Sequence, residues 1–98
     1  MAKAYWISLY HAVHDPEKLA AYAKLAGPAI QGAGGKFLAR GTAVHAWERG
    51  LLQRTVVVEF PSVAAAVACH DGPEYQEALR VLGEGSVDRD FRIVEGAG

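Results

Sequence analysis

Residues 54–62 read RTVVVEFPS, and this stretch decides the fold. Its run of branched and aromatic residues is typical of a β-strand, which we place over residues 52–60. Glu59 lies one residue before the end of this apolar run. Because a carboxylate is seldom buried without a partner, either the strand shows one face to water or a cation lies opposite Glu59.

Three further strands are predicted around this one. They cover residues 4–11, 36–47 and 88–94, and the first is rich in aromatic and branched residues. The second is expected to bend at Gly41 and to return through a hairpin turn at Arg49-Gly50. The chain therefore has four predicted strands.

Two helical regions separate the strands. The first begins after Asp15-Pro16, which supply a cap and a first-turn proline, and it is expected to kink or divide at Pro28. The glycines of residues 32–35 end it. The second region begins after Ser62, and Gly72-Pro73 divides it into two pieces.

The order of these elements predicts an α+β ferredoxin-like fold, βαββαβ. Right-handed crossovers fix the strand order of the four-stranded antiparallel sheet as 4-1-3-2, with the helices on one face. A chain of 98 residues fits one such domain, covering residues 1–98. The other face of the sheet must then meet water or a second chain.

Alternation along each strand assigns side chains to the two faces of the sheet. The more apolar set is placed towards the helices: Ile7, Leu9, Val56, Val58 and Phe60. The opposite set is mixed: Trp6, Ser8, Tyr10, Leu38, Arg40, Thr55, Val57, Glu59, Arg92 and Val94. This second face is too apolar to leave bare and too polar for an ordinary core, so we predict a homodimer whose two sheets enclose a wet cavity.

Arg40 is the predicted partner of Glu59. A two-residue turn at Arg49-Gly50 would place Arg40 directly across from Glu59 on the same face. One interpretation is a structural ion pair lining a barrel. The other is a catalytic pair, in which Arg40 holds a carboxylate substrate and Glu59 acts as a base.

Four more residues are candidates for substrate binding. Trp6 and Tyr10 are expected to line the same cavity as the Arg40–Glu59 pair. Arg54 is expected on the helix side of the sheet near the hairpin. The alternative is that Arg54 is a surface residue or contacts another subunit. Tyr75 on the second helical region could bind a ligand through its hydroxyl, with ordinary packing as the alternative.

Several segments, in order, resemble those of one small bacterial family. They are YW in the first strand, AGPAIQGAGGKFLARG, RTVVVEFPS, GPEYQEALRVLGEG and DFRIVEG. Together they span nearly the whole chain and resemble the family known as domain of unknown function 1330. The resemblance implies the dimeric α/β-barrel group, in which two ferredoxin-like chains pack their open sheet faces together. Cofactor-independent and haem-dependent enzymes share that fold with stress-response proteins, so the resemblance names no reaction.

The composition argues against nucleic-acid and membrane partners. The net charge is -1 and no cluster of lysine or arginine is present, so nucleic acid is not a predicted partner. The longest apolar run is far shorter than the roughly 20 residues of a spanning helix. A single cysteine, Cys69, cannot form an internal disulfide, and this favours a cytoplasmic location.

No metal and no cofactor are predicted. His11 and His14 lie at a strand end and in a loop, so their rings need not converge on an ion. Haem would need His70 as its axial ligand. Cys69 could be a nucleophile only if the adjacent His70 acted as its base, but neighbouring helical side chains point apart. Cys69 is therefore interpreted as a small buried residue.

Three functions remain open from the sequence. The first is a cofactor-independent enzyme acting on a small carbonyl or carboxylate compound. The second is a binding or sensor module that uses the same cavity without turnover. The third is a structural dimer in which the Arg40–Glu59 pair only lines the barrel.

Overall fold

The computed structural model describes residues 2–98. The strands are β1 (Ala4–Val13), β2 (Lys36–Thr42), β3 (Arg54–Phe60) and β4 (Val87–Glu95), and the helices are α1 (Pro16–Gly32), α2 (Val63–Asp71) and α3 (Pro73–Leu82). The sheet order is β2-β3-β1-β4 with every neighbouring pair antiparallel, so the predicted ferredoxin-like fold is confirmed.

The helices begin where the capping residues predict. The Asp15 side chain accepts a hydrogen bond from the Lys18 amide at 3.1 Å, and Pro16 occupies the first turn of α1. The predicted division at Pro28 is absent, because buried side chains before and after the proline hold α1 against the sheet as one helix. Within residues 2–98, no helix is long and apolar enough to cross a membrane.

Trp6 is the centre of the core between the sheet and the helices. Its side chain is 1% exposed. Its ring lies 5.5 Å from that of Phe60, 4.8 Å from that of Tyr75 and 4.7 Å from that of Phe91, measured between centroids. Aromatic rings at these separations pack favourably edge to face or offset, so one residue joins β1, β3, β4 and α3.

The predicted faces of β1 are wrong. Trp6 pairs with Val58, and directly paired residues of antiparallel strands share a face, so Trp6, Ser8 and Tyr10 point to the helices. Ile7 and Leu9 therefore lie on the open face, which carries no helix. β1 is one of the two central strands and is apolar on both sides, so hydrophobicity alone could not decide between its two faces.

The predicted register between β2 and β3 is also wrong, although the two strands pair as predicted. β2 ends at Thr42, and the predicted hairpin at Arg49-Gly50 is replaced by a loop over residues 43–53. The register shifts between residues 37 and 39, where Leu38 is the extra residue of a bulge. Arg40 consequently pairs with Val56 on the helix side. The loop leaves Trp47 77% exposed.

Gly35 lies at a tight junction between α1 and β2. A Cβ atom there would be 2.6 Å from Cγ2 of Ile30 and 2.8 Å from Cζ of Phe60, both of which are buried. Gly35→Ala is therefore expected to destabilise the fold by about 2 kcal/mol, because the core would have to shift. Gly32→Ala is the control, since nothing lies within 4 Å of its Cβ position. Equal midpoints of urea unfolding for Gly35→Ala and Gly32→Ala would contradict this expectation.

Candidate functional site

A pocket lies between the helix side of the sheet and α1. The pocket is partly open to solvent, and the space within it that the centre of a water molecule can reach is about 30 Å³. Trp6, Ile30 and Phe37 contribute apolar walls. The polar lining residues are Ser8, Tyr10, Tyr22, Arg40, Arg54 and Arg89. Every strand contributes to this one site.

Arg89 reaches the pocket from β4, where it pairs directly with Tyr10 of β1. Its Nη1 atom donates to the Tyr10 hydroxyl oxygen at 3.0 Å and to the Tyr22 hydroxyl oxygen at 3.3 Å. Its Nη2 atom donates to the Tyr75 hydroxyl oxygen at 3.5 Å. In the described part of the chain, the guanidinium is thus held by three tyrosines and by no carboxylate.

Tyr22 and Tyr75 form a buried hydroxyl pair behind this guanidinium, with their oxygens 2.6 Å apart. Tyr75 is fully buried, and burial, followed by the neighbouring Tyr22, raises the pKa of Tyr75. Burial alone would lower the pKa of Arg89, but the Tyr22 and Tyr75 oxygens beside it more than offset this effect. At neutral pH the cluster therefore consists of a charged arginine and neutral Tyr75.

Arg54 and Arg40 bring two further positive charges. The Nε atom of Arg54 is buried and has no hydrogen-bond partner among residues 2–98, and the Arg54 guanidinium carbon lies 5.8 Å from the Tyr10 ring centroid. Arg40 is exposed, with its guanidinium carbon 4.3 Å above the Phe37 ring. Aromatic faces attract such cations, but they leave the N–H groups free to donate.

Within residues 2–98, no aspartate or glutamate lines this pocket. The carboxylates that form ion pairs do so elsewhere: Glu59 with Lys3, Glu77 with Arg80, and Asp90 with Arg92. The hydrogen bond from Arg92 lowers the pKa of Asp90, so this carboxylate is charged and engaged in a surface ion pair. Three arginines therefore face a partly enclosed pocket without a compensating negative charge.

The structure brings together four of the six predicted site residues. Trp6, Tyr10, Arg40 and Arg54 line the pocket, although on the helix side of the sheet and not inside a barrel. The roles assigned to them remain predictions.

The other two predicted site residues lie apart from the lining. Tyr75 lies behind the pocket lining, and its hydroxyl is hydrogen-bonded to the lining residues Tyr22 and Arg89. Glu59 is on the open face, 3.5 Å from the Lys3 amine, so the predicted Arg40–Glu59 pair is not formed. The bulge at Leu38 and the long loop cause this difference.

Arg89 and Tyr22 were missed as site residues. Arg89 shares its strand parity with Phe91 and Ile93, which pack against the core, so parity alone indicated a buried arginine. A buried arginine needs hydrogen-bond partners, so the position of Arg89 in the strand was a signal for a polar site. Tyr22 follows the apolar spacing of α1, and nothing in that spacing distinguishes it from a packing residue.

The histidine and cysteine candidates do not form a second site. Cys69 is buried, as predicted, and burial, followed by the charge of Glu74, raises the pKa of its thiol. His70 contacts the Asp71 carboxylate at 3.0 Å through Nδ1. In the described part of the chain, no three side chains of His, Cys, Asp or Glu converge in a way that could hold a metal ion.

The fold and the site define a ferredoxin-like α+β protein with a cationic pocket between its sheet and its helices. The chain belongs to the family Domain of unknown function (DUF1330), whose sequence model matches residues 3–97. The resemblance drawn from the sequence segments is thereby confirmed. No curated protein sequence matches the chain.

Several solved structures share the fold. A protein of unknown function from Rhodopseudomonas palustris is similar with a TM-score of 0.77 and 22% identity, over 99% of this chain and 84% of that one. A dimeric ferredoxin-like protein of unknown function from Thermobifida fusca is similar with a TM-score of 0.65 and 17% identity, over 96% of this chain and 91% of that one. SnoaB, a cofactor-independent oxygenase from Streptomyces nogalater, is similar with a TM-score of 0.63 and 10% identity, over 100% of this chain and 96% of that one. At these identities the likeness concerns the fold alone.

Proposed function

We propose that this protein binds a small carboxylate in the pocket between sheet and helices. One observation carries the proposal: three arginines line the pocket with no acidic side chain among the lining residues. A buried N–H without an acceptor is unfavourable, and Nε of Arg54 is such a group. A carboxylate would accept from Arg54 and offset the positive charge in one step.

The geometry favours binding over proton abstraction. A base acting on a bound ligand must lie within hydrogen-bond reach of it, and no lining residue of the pocket is Asp, Glu or His. Glu59, the predicted base, lies on the other face of the sheet. Catalysis by Glu59 would therefore need a second site on the open face, formed with a partner chain.

The proposal includes a homodimer that covers the open face. Val94 is 50% exposed on that face, next to half-buried Ile7 and Val57. An apolar surface of this kind is typical of an interface. The relative from Thermobifida fusca is described as dimeric, which supports the same arrangement here. The cytoplasmic location inferred from Cys69 stays a prediction.

Arg54→Met tests the binding proposal. Methionine replaces the apolar stem of the side chain but removes its charge and its donors, so the affinity for propionate is expected to fall about tenfold or more. The measurement is an NMR titration of the protein with sodium propionate at constant ionic strength. Arg80→Met is the control, because Arg80 is exposed and paired with Glu77 away from the pocket. Equal affinities of wild type and Arg54→Met would contradict the proposal.

A further inference from the structure

The hydroxyl hydrogens around Arg89 are not all used within the protein. A guanidinium only donates hydrogen bonds, so the oxygens of Tyr10, Tyr22 and Tyr75 are acceptors towards Arg89. In the Tyr22–Tyr75 pair, one hydroxyl must donate to the other across 2.6 Å. The direction of that bond decides which hydrogen remains free.

Burial favours Tyr75 as the donor in this pair. Tyr75 is fully buried, and within residues 2–98 its hydroxyl contacts only Tyr22 and Arg89. If Tyr22 donated to Tyr75, the Tyr75 hydrogen would be buried without an acceptor, which is unfavourable. Tyr75 therefore donates to Tyr22, and the Tyr22 hydrogen is free. Because Tyr22 lines the pocket, that hydrogen is available to a ligand.

Tyr10 adds a second hydroxyl donor to the same wall. Its oxygen accepts from Arg89 at 3.0 Å, and its hydroxyl has no other partner among the described residues. The guanidinium of Arg54 lies near the same Tyr10 ring, at 5.8 Å from its centroid. A carboxylate bound at Arg54 would therefore lie beside the Tyr10 ring, in the pocket that Tyr22 also lines.

We propose that the wall formed by Tyr10, Tyr22 and Arg89 makes the pocket selective for 2-oxo carboxylates. This inference rests on the proposed carboxylate binding at Arg54. A keto oxygen only accepts hydrogen bonds, so it matches a wall that offers only donors. A plain alkyl carboxylate would leave those donors without acceptors, and a site built to hydrogen-bond an oxygen discriminates against ligands that lack it.

The test compares pyruvate with propionate, which differ mainly by the keto oxygen. In NMR titrations of the wild-type protein, pyruvate is expected to bind about tenfold more tightly. In Tyr22→Phe this ratio is expected to fall several-fold, with the affinity for propionate retained, because the Tyr10 hydroxyl remains as the second donor. In Tyr75→Phe, which changes a residue outside the pocket lining, the affinity for pyruvate is expected to fall a few fold.

Each other outcome contradicts a defined part of the account. Equal affinities for pyruvate and propionate in the wild type would overturn the selectivity and leave the proposed carboxylate binding in place. Saturable binding of neither compound would overturn both. A rise in pyruvate affinity in Tyr75→Phe would show that Tyr22 donates to Tyr75, which would overturn the inference. Phenylalanine preserves ring packing at both positions, and an amide NMR spectrum verifies that the variants are folded.

Discussion

Arg89→Met is expected to destabilise the folded protein by about 3 kcal/mol, because three tyrosine oxygens lose a charged hydrogen-bond donor. Methionine retains the apolar stem, so the change removes mainly the guanidinium. Loss of these direct bonds is expected to outweigh any relief of repulsion among the pocket arginines. Urea unfolding followed by circular dichroism measures the difference.

Arg54→Met is the matched comparison, and the opposite sign is expected. Arg54 carries a buried Nε without a partner, so its replacement in the ligand-free protein should raise the stability by about 1 kcal/mol. Opposite signs would distinguish Arg89, whose bonds to three tyrosines stabilise the fold, from Arg54, which we propose binds a ligand. Equal losses of stability in the two variants would contradict this distinction.

Val57→Lys is expected to convert the proposed dimer into monomers. Val57 pairs with Ile7 in the middle of the open face, so each protomer would bring an ammonium group into the proposed interface. Burial of an unpaired charge there is strongly unfavourable, and the dissociation constant is expected to rise at least about 100-fold. Sedimentation velocity across a dilution series measures the change.

Val67→Lys is the control for assembly. Val67 is exposed on α2, in the helical layer, so a lysine there leaves the open face unchanged. It is expected to sediment as the wild type does. A wild-type protein that stays folded and monomeric at high concentration would contradict the proposed dimer, and so would a dimeric Val57→Lys variant.

The architecture was predictable because local signals agreed along the chain. Caps at Asp15 and Ser62, the break at Gly72 and the apolar run of β3 placed the elements to within a few residues. The order of the elements then admitted few topologies. The prediction failed for the loop over residues 43–53, because no short-range signal distinguishes a long loop from an extended hairpin.

The site was only partly predictable, because it depends on register and not on composition. One additional residue at Leu38 moves Arg40 from the expected face to the opposite one. The apolar character of β1 on both faces concealed the true direction of Trp6. Arg89 and Tyr22 come from distant parts of the chain and meet only in the folded structure, so neither segment alone indicated their contact.

The most direct test of the account follows the Nε–H signal of Arg54 by ¹H–¹⁵N NMR during a titration with propionate. Because this group is buried and without a partner in the free protein, a bound carboxylate should become its acceptor. We predict a saturable shift of the Arg54 signal that follows the binding curve of the backbone amides around the pocket. An Arg54 signal that stays unchanged at saturating propionate would contradict the proposed site.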